Sequence, residues 1–187
     1  MNGFAELLRR LVDALDDAKV PFMIAGSFAS TAHGLPRATQ DLDIVIDPPE
    51  LAALDALLAS FPPDEYYVDA DVARDALRRR AMFNVIDNAT GWKIDFIVRK
   101  NRSFSREEFQ RRQPLTLLGV PLFVASAEDT IVAKLEWSLQ SGGSERQRRD
   151  VAGILDTAGP TIDIPYVERW VHDLGLESEW GAVRSSG

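Results

Sequence analysis

PFMIAGSFASTAHGLPRATQDLDIVI, residues 21–46, carries two short apolar runs on either side of a glycine-centred turn. Phe22 to Ala25 ends at Gly26, which reads as a buried strand entering a tight turn, and Ser27 to His33 then starts a helix. Further on, Leu42, Ile44 and Ile46 alternate with Asp41, Asp43 and Val45. That period of two marks a strand with one apolar face and, at one end, an acidic face. Strand, turn, helix and strand in such quick succession predict an α/β fold, and the two aspartates predict where its chemistry sits.

Toward the amino terminus, Phe4, Leu7, Leu8, Leu11 and Leu15 recur at helical spacing, so residues 3–18 are expected to form an amphipathic helix closed by Pro21. Toward the carboxyl terminus, Pro48 and Pro49 open a helix through Leu51, Leu54, Leu57 and Leu58 that the Phe61-Pro62-Pro63 stretch ends. A helix follows over Val72 to Arg80. Met82 to Ile86 and Trp92 to Val98 are strand-like around the turn formers Asp87 to Gly91, an antiparallel hairpin that makes the sheet mixed.

Ser105 with Glu108 has the spacing of a capping box, as does Ser126 with Asp129. Between them Leu115 to Leu118 and Leu122 to Val124 flank a Gly119-Val120-Pro121 turn. From Ile131 onward the pattern is helical, broken by Gly142 and Gly143 and resumed over Arg146 to Thr157 and Tyr166 to Leu174. Residues 1–125 therefore read as an α/β core and residues 126–187 as a C-terminal helical lobe packed on it, with a frayed end at Arg184 to Gly187.

Composition narrows the function. The chain has 187 residues, 45% of them apolar, a formal net charge of −8 and no cysteine. Disulfide scaffolds, thiol nucleophiles and Cys-ligated zinc are excluded. A chain of this size buries about 70% of its unfolded surface, enough for a full core. No run approaches the roughly 18 apolar residues of a membrane span, so the expected location is the cytoplasm. The acidic balance argues against a broad nucleic-acid surface. Local basic clusters do occur, at Arg78 to Arg80, at Arg99, Lys100 and Arg102, at Arg111 and Arg112, and at Arg146, Arg148 and Arg149.

Asp41 and Asp43, two apart on one strand, project together, and two carboxylates on one short face repel unless a cation or protons relieve them. Hard divalent cations take such ligands and are commonly shared with substrate phosphates. Gly26, lacking Cβ, lets the backbone approach a ligand, and Ser27 opens a helix whose free N–H groups suit an anion. In Lys93-Ile94-Asp95-Phe96-Ile97, with Val98 next, Ile94, Phe96 and Val98 take the buried face and leave Asp95 on the other. Three carboxylates and a phosphate-binding turn are the parts of two-metal phosphoryl or nucleotidyl transfer. The competing reading of the acid pair is a solvated strand edge. Dinucleotide fingerprint, Walker A, His-Glu-x-x-His and Gly-x-Ser-x-Gly sequences are absent, and Ile46 stands where an EF-hand loop needs glycine. His33 and His172 read as packing or capping residues. Lys134 reads either as a snorkelling lysine or as a phosphate ligand.

Taken together, Ala25-Gly26-Ser27-Phe28-Ala29, His33-Gly34-Leu35-Pro36-Arg37-Ala38-Thr39 and Asp41-Leu42-Asp43-Ile44 resemble the first motif of the nucleotidyltransferase (polymerase β-like) superfamily, and within it the AbiEii-type bacterial group. The similarity continues through Arg79 to Ile86, Lys93-Ile94-Asp95, Glu128 to Trp137 and Arg146 to Val151. It implies a nucleotidyltransferase-type mixed sheet flanked by helices. It implies an enzyme that moves a nucleoside monophosphate from an NTP, with Mg²⁺ or Mn²⁺, to an acceptor, releasing pyrophosphate. Asp41, Asp43 and Asp95 would then be catalytic and metal-binding. Gly26, Ser27, Arg37, Thr39 and Lys134 would serve the triphosphate, and Asp150 would orient Lys134 or line the acceptor side. For Arg37 and Asp150 an inter-lobe salt bridge is the competing role.

The acceptor is open between RNA, protein and a small hydroxylated molecule, with the basic clusters pointing to a polyanion such as tRNA. A toxin role with an antitoxin partner also follows from the resemblance, although AbiEii-type toxins are generally longer. The alternative is a non-catalytic nucleotide-binding or protein-interaction module of the same fold. A metal-dependent glycosyltransferase with an Asp-x-Asp site ranks last, because no second sugar-binding domain is evident.

Overall fold

The computed structural model describes residues 2–36 and 38–185. In chain order the elements are α1 (Asn2–Asp17), β1 (Phe22–Ile24), α2 (Gly26–His33), β2 (Asp41–Ile46), α3 (Leu51–Ala59), β3 (Tyr66–Val68), α4 (Ala70–Arg79), β4 (Met82–Asp87), β5 (Lys93–Val98), α5 (Ser103–Gln110), β6 (Gln113–Leu117), β7 (Val120–Val124), α6 (Ala127–Gln140), α7 (Glu145–Ala158), a 3-10 turn (Gly159–Thr161), α8 (Ile164–Asp173) and α9 (Glu177–Arg184). They form two compact units, Met1–Ala25 with Thr39–Val124, and Gly26–Ala38 with Ala125–Gly187. The second unit therefore takes α2 in addition to the helices beyond residue 125.

The first unit is built on a seven-stranded sheet in the order β3-β4-β5-β2-β1-β7-β6. The pairs β2–β5 and β1–β7 are parallel and the remaining neighbours antiparallel, so the sheet is mixed as expected. Its apolar face carries Leu42, Ile44 and Ile46 of β2 and Ile94, Phe96 and Val98 of β5, all essentially inaccessible to water. Leu7, Leu8, Leu11 and Leu15 of α1, together with Leu54 and Leu57 of α3, are as deeply buried. Burying each leucine contributes roughly 2 kcal/mol, which is why a helix with so polar an outer face holds its place. Phe96 is the aromatic centre, stacked on Phe83 at 5.2 Å and tilted against Phe61 at 6.0 Å.

The hairpin between β4 and β5 is closed by Asp87, whose Oδ1 accepts from the N–H groups of Ala89 and Thr90 while Arg10 reaches Oδ2 at 3.3 Å. Asp69 caps α4 by accepting from Asp71 and Val72 N–H. Arg80 ends that helix in the left-handed region instead of extending it. Ser105 is not a cap. It lies inside α5, and its hydroxyl accepts from Arg102 Nε. Strand β3 goes unforeseen because three residues after two prolines are too few to show a period.

In the second unit Ser126 caps α6 as expected, accepting from Asp129 N–H at 3.1 Å and donating to its carboxylate. Tyr166 of α8 donates to the same carboxylate, so a fully buried acid is satisfied from both sides. Helix α2 approaches α7 so closely at Gly34 that a Cβ there would stand 2.9 Å from the Ile154 backbone nitrogen. Only glycine fits that crossing. Helix α9 was not expected. It runs through Arg184, whereas Ser186 and Gly187 lie outside the described residues.

Candidate active site

Strands β2 and β5 run parallel in a register that sets Asp41 beside Lys93 and Asp43 beside Asp95. Side chains at matched positions of neighbouring strands share a face and stand about 5 Å apart. The three acids and one lysine thus form a two-by-two block on the face opposite the apolar core. Asp41 is exposed, Asp43 half-buried and Asp95 only 6% exposed. The three carboxylates named from sequence are brought together, on adjacent strands.

The lysine in this block was not singled out in advance. Lys93 Nζ lies 2.8 Å from Asp95 Oδ2 and 3.8 Å from Asp41 Oδ1. The hydrogen bond to Asp95, with the nearby charges of Asp95, Asp41 and Asp43, outweighs burial and raises the Lys93 pKa, so the ammonium stays protonated. The same period of two that marks Asp95 also places Lys93 on its face, so the signal was present in the sequence. Across from Asp95 on β4 stands the exposed Asn84. Nothing short of the register reveals that neighbour.

Asp95 Oδ1 is buried and has no hydrogen-bond partner among the described residues. Leaving a carboxylate oxygen unsatisfied costs free energy unless a donor or a cation meets it. An orphaned oxygen beside two further carboxylates is a donor set of hard oxygen ligands, and it fits a divalent cation such as Mg²⁺ or Mn²⁺. Among the described residues no group of three or more His, Asp or Glu side chains already converges as a formed metal centre. The ammonium of Lys93 instead lies among the carboxylates.

Thr39 stands next to the acids. Its hydroxyl accepts from Asp41 N–H and lies equally close, at 3.2 Å, to the Asp41 carbonyl, which pins the start of β2. Ala25 N–H donates to the Asp43 carbonyl at 2.9 Å, tying the end of β1 to the middle of the motif. The next residue, Gly26, turns the chain at φ 57°, a conformation glycine adopts without strain, and α2 begins there. Ser27 stands half-buried in the first turn of α2, within the second unit. Arg37 lies outside the described residues.

Lys134 and Asp150 also belong to the second unit. Lys134 is 4% exposed, and its ammonium meets Asp150 Oδ2 at 2.6 Å and Gln147 Oε1 at 3.0 Å. The lysine is therefore a buried partner of α7, not a snorkelling side chain. His33 Nε2 donates to the Ala125 carbonyl at 2.7 Å and His172 lies exposed near Glu177, in keeping with packing and surface roles. A cleft of about 370 Å³, lined by Phe22, Pro114, Leu122 and Phe123 among others, opens at the opposite end of the strands from the acids, and none of them lines it. No helix of the described residues is long and apolar enough to cross a membrane.

No protein family's sequence profile matches the chain, and no curated protein matches it significantly. Solved structures do resemble it. The antibiotic-resistance factor ANT(2'')-Ia superposes with a TM-score of 0.59 at 12% identity, covering 97% of this chain and 95% of that one. A nucleotidyltransferase-like protein from Paracoccidioides brasiliensis gives 0.55 at 15% identity, over 96% and 92% of the two chains. The lincosamide antibiotic adenylyltransferase LnuA gives 0.54 at 10% identity, over 80% and 94%. At these identities the likeness speaks for architecture, and the chain has the nucleotidyltransferase-type α/β fold, a mixed sheet flanked by helices with further helices at its C-terminal end.

Proposed function

We propose that the chain is a metal-dependent nucleotidyltransferase that moves a nucleoside monophosphate from an NTP to a hydroxyl of a small molecule. The observation that carries this reading is the orphaned, buried oxygen of Asp95 set in register beside Asp41 and Asp43. A dead site has no use for three clustered carboxylates, and a solvated edge does not bury one of them.

In the proposed reaction the acceptor hydroxyl oxygen forms a bond to the α-phosphorus, the bond from that phosphorus to the bridging oxygen breaks, and pyrophosphate leaves. Asp41, Asp43 and Asp95 would hold Mg²⁺ or Mn²⁺, which when bound offsets the triphosphate charge and lowers the pKa of the hydroxyl. Asp95 completes the site and takes the hydroxyl proton. Thr39 keeps Asp41 at the strand start. Gly26 and Ser27, at the amino end of α2, bind phosphate through backbone N–H and hydroxyl groups. Lys134, oriented by Asp150, supplies positive charge to the triphosphate, as does Arg37.

The choice of a small acceptor over tRNA rests on charge. Arg78 and Arg79 pair with Asp75, Arg80 and Arg99 with Asp47, Arg148 with Glu179 and Arg149 with Glu145. Several of the clustered arginines thus stand beside carboxylates of the same chain, which carries −8 overall. Two of the structural neighbours are described with small molecules, ANT(2'')-Ia in complex with adenylyl-2''-tobramycin and the lincosamide antibiotic adenylyltransferase LnuA with lincomycin bound. The AbiEii-type affiliation, and with it a toxin role opposed by an antitoxin, rests on the sequence motifs, the first of them above all.

Calorimetric titration of each NTP, with and without Mg²⁺, into wild type and Asp41→Asn/Asp43→Asn tests the reading. The expected result is metal-dependent binding of one triphosphate, lost in the double variant. Equal binding by both proteins would refute the ligand assignment. Binding without turnover across a broad panel of hydroxylated acceptors would favour the non-catalytic module.

A further inference from the structure

The geometry points to Lys93 as a built-in counter-cation of the metal site, a positioning residue that holds Asp95 and Asp41 in place and yields when a divalent cation arrives. This rests on the metal reading of the three carboxylates. Lys93 Nζ makes its shorter contact, 2.8 Å, with the one buried acid and its longer one, 3.8 Å, with the exposed acid across the strand pair. The ammonium therefore spans β5 and β2, among the carboxylates that would hold the cation. Half of the Asp95 carboxylate is satisfied by this contact, and the other half has no hydrogen-bond partner among the described residues.

Two positive charges do not share so small a group of ligands. At about 4 Å they repel strongly even at the effective dielectric of a protein surface, so cation binding requires the ammonium to move off. Lys93 can do so, because its side chain is 38% exposed and sits on a flexible stem next to solvent. Asp95 cannot, since it is locked in the middle of a six-residue strand paired on both sides. The lysine consequently keeps the acids gathered before the metal arrives and weakens metal binding by the free protein. Removing its charge has opposite effects on the two states. Metal-free protein loses a partner for a buried carboxylate, while metal-bound protein loses only a competitor.

The test uses full-length wild type, Lys93→Met, Lys93→Gln and Lys93→Arg, with Mn²⁺ binding followed by electron paramagnetic resonance and Tm measured in chelator and in Mn²⁺. Lys93→Met and Lys93→Gln should melt below wild type in chelator, bind Mn²⁺ about tenfold more tightly and gain more Tm from it, whereas Lys93→Arg should resemble wild type. A merely structural ion pair would lower Tm without tightening Mn²⁺, and affinity that is unchanged or weaker in both neutral variants overturns the role of Lys93. Asp95→Asn separates the two ideas. If wild type with triphosphate takes up Mn²⁺ and Asp95→Asn does not, the metal reading stands whatever Lys93 does. If no variant takes up Mn²⁺ even with triphosphate, both readings fall.

Discussion

Glu179 illustrates how single residues hold the second unit together. Its carboxylate is 5% exposed and accepts from Arg148 Nε at 3.0 Å, from Arg148 Nη2 at 2.9 Å and from the Ser138 hydroxyl. The hydrogen bonds from Arg148 chiefly, helped by Ser138 and opposed by burial, lower the Glu179 pKa below the ordinary glutamate value. A lowered folded-state pKa means that the stabilisation is complete above the ordinary range, about pH 4.3, and is lost as the pH falls through the lower folded value. Tm measured against pH should therefore show wild type above Glu179→Gln at neutral pH, with the gap closing in acid. A gap that is constant with pH would show that charge plays no part. Unlike Lys93, whose partner Asp95 is two residues away on the same strand, this acid gives no sign of its partners in the sequence, because Arg148 and Ser138 reach it from two other helices.

At the level of elements, the turn between β6 and β7 places Leu118 at φ 51° and Gly119 at φ 79°, so both central residues are left-handed. Glycine adopts that conformation readily, whereas a leucine there is strained by roughly 1 kcal/mol. The two-residue hairpin of this geometry favours Asn-Gly, and Leu118 is largely exposed, so replacing it forfeits little packing. Leu118→Asn should raise the stability by about 0.5–1 kcal/mol, read as a higher denaturant midpoint at unchanged slope. A fall in midpoint would mean that Leu118 packs more than its exposure indicates. Elements with clear periods, such as α1, β2, β4 and β5, were legible in advance to within a residue or two. Those lacking a period were not, and β3 and α9 were missed. The cap at Ser126 was legible because its partner is three residues away, and the same spacing misled at Ser105, where the chain had already turned helical at Ser103.

For the molecule as a whole, charge is the property that bears on partners. A net −8, with Arg80 and Arg99 beside Asp47 and Arg148 beside Glu179, disfavours a polyanionic partner. Filter binding of tRNA at physiological ionic strength should therefore give no retention beyond that of a neutral control protein. Micromolar binding that weakens steeply with salt would reveal an unrecognised basic face and revive a polyanionic acceptor.

The acid pair, its third member and the glycine turn could be read from the chain alone, because the alternation of a strand and the conformational freedom of glycine are local properties. Which strands lie side by side is not local. The parallel pairing of β2 with β5 joins residues about fifty positions apart, and this pairing sets Asp43 against Asp95 and slips Lys93 in beside Asp41. The same holds for Lys134 and Asp150, sixteen residues apart and drawn together only when α6 packs on α7. Periodicity says which face a side chain takes, and only the packing of distant segments says what it meets there.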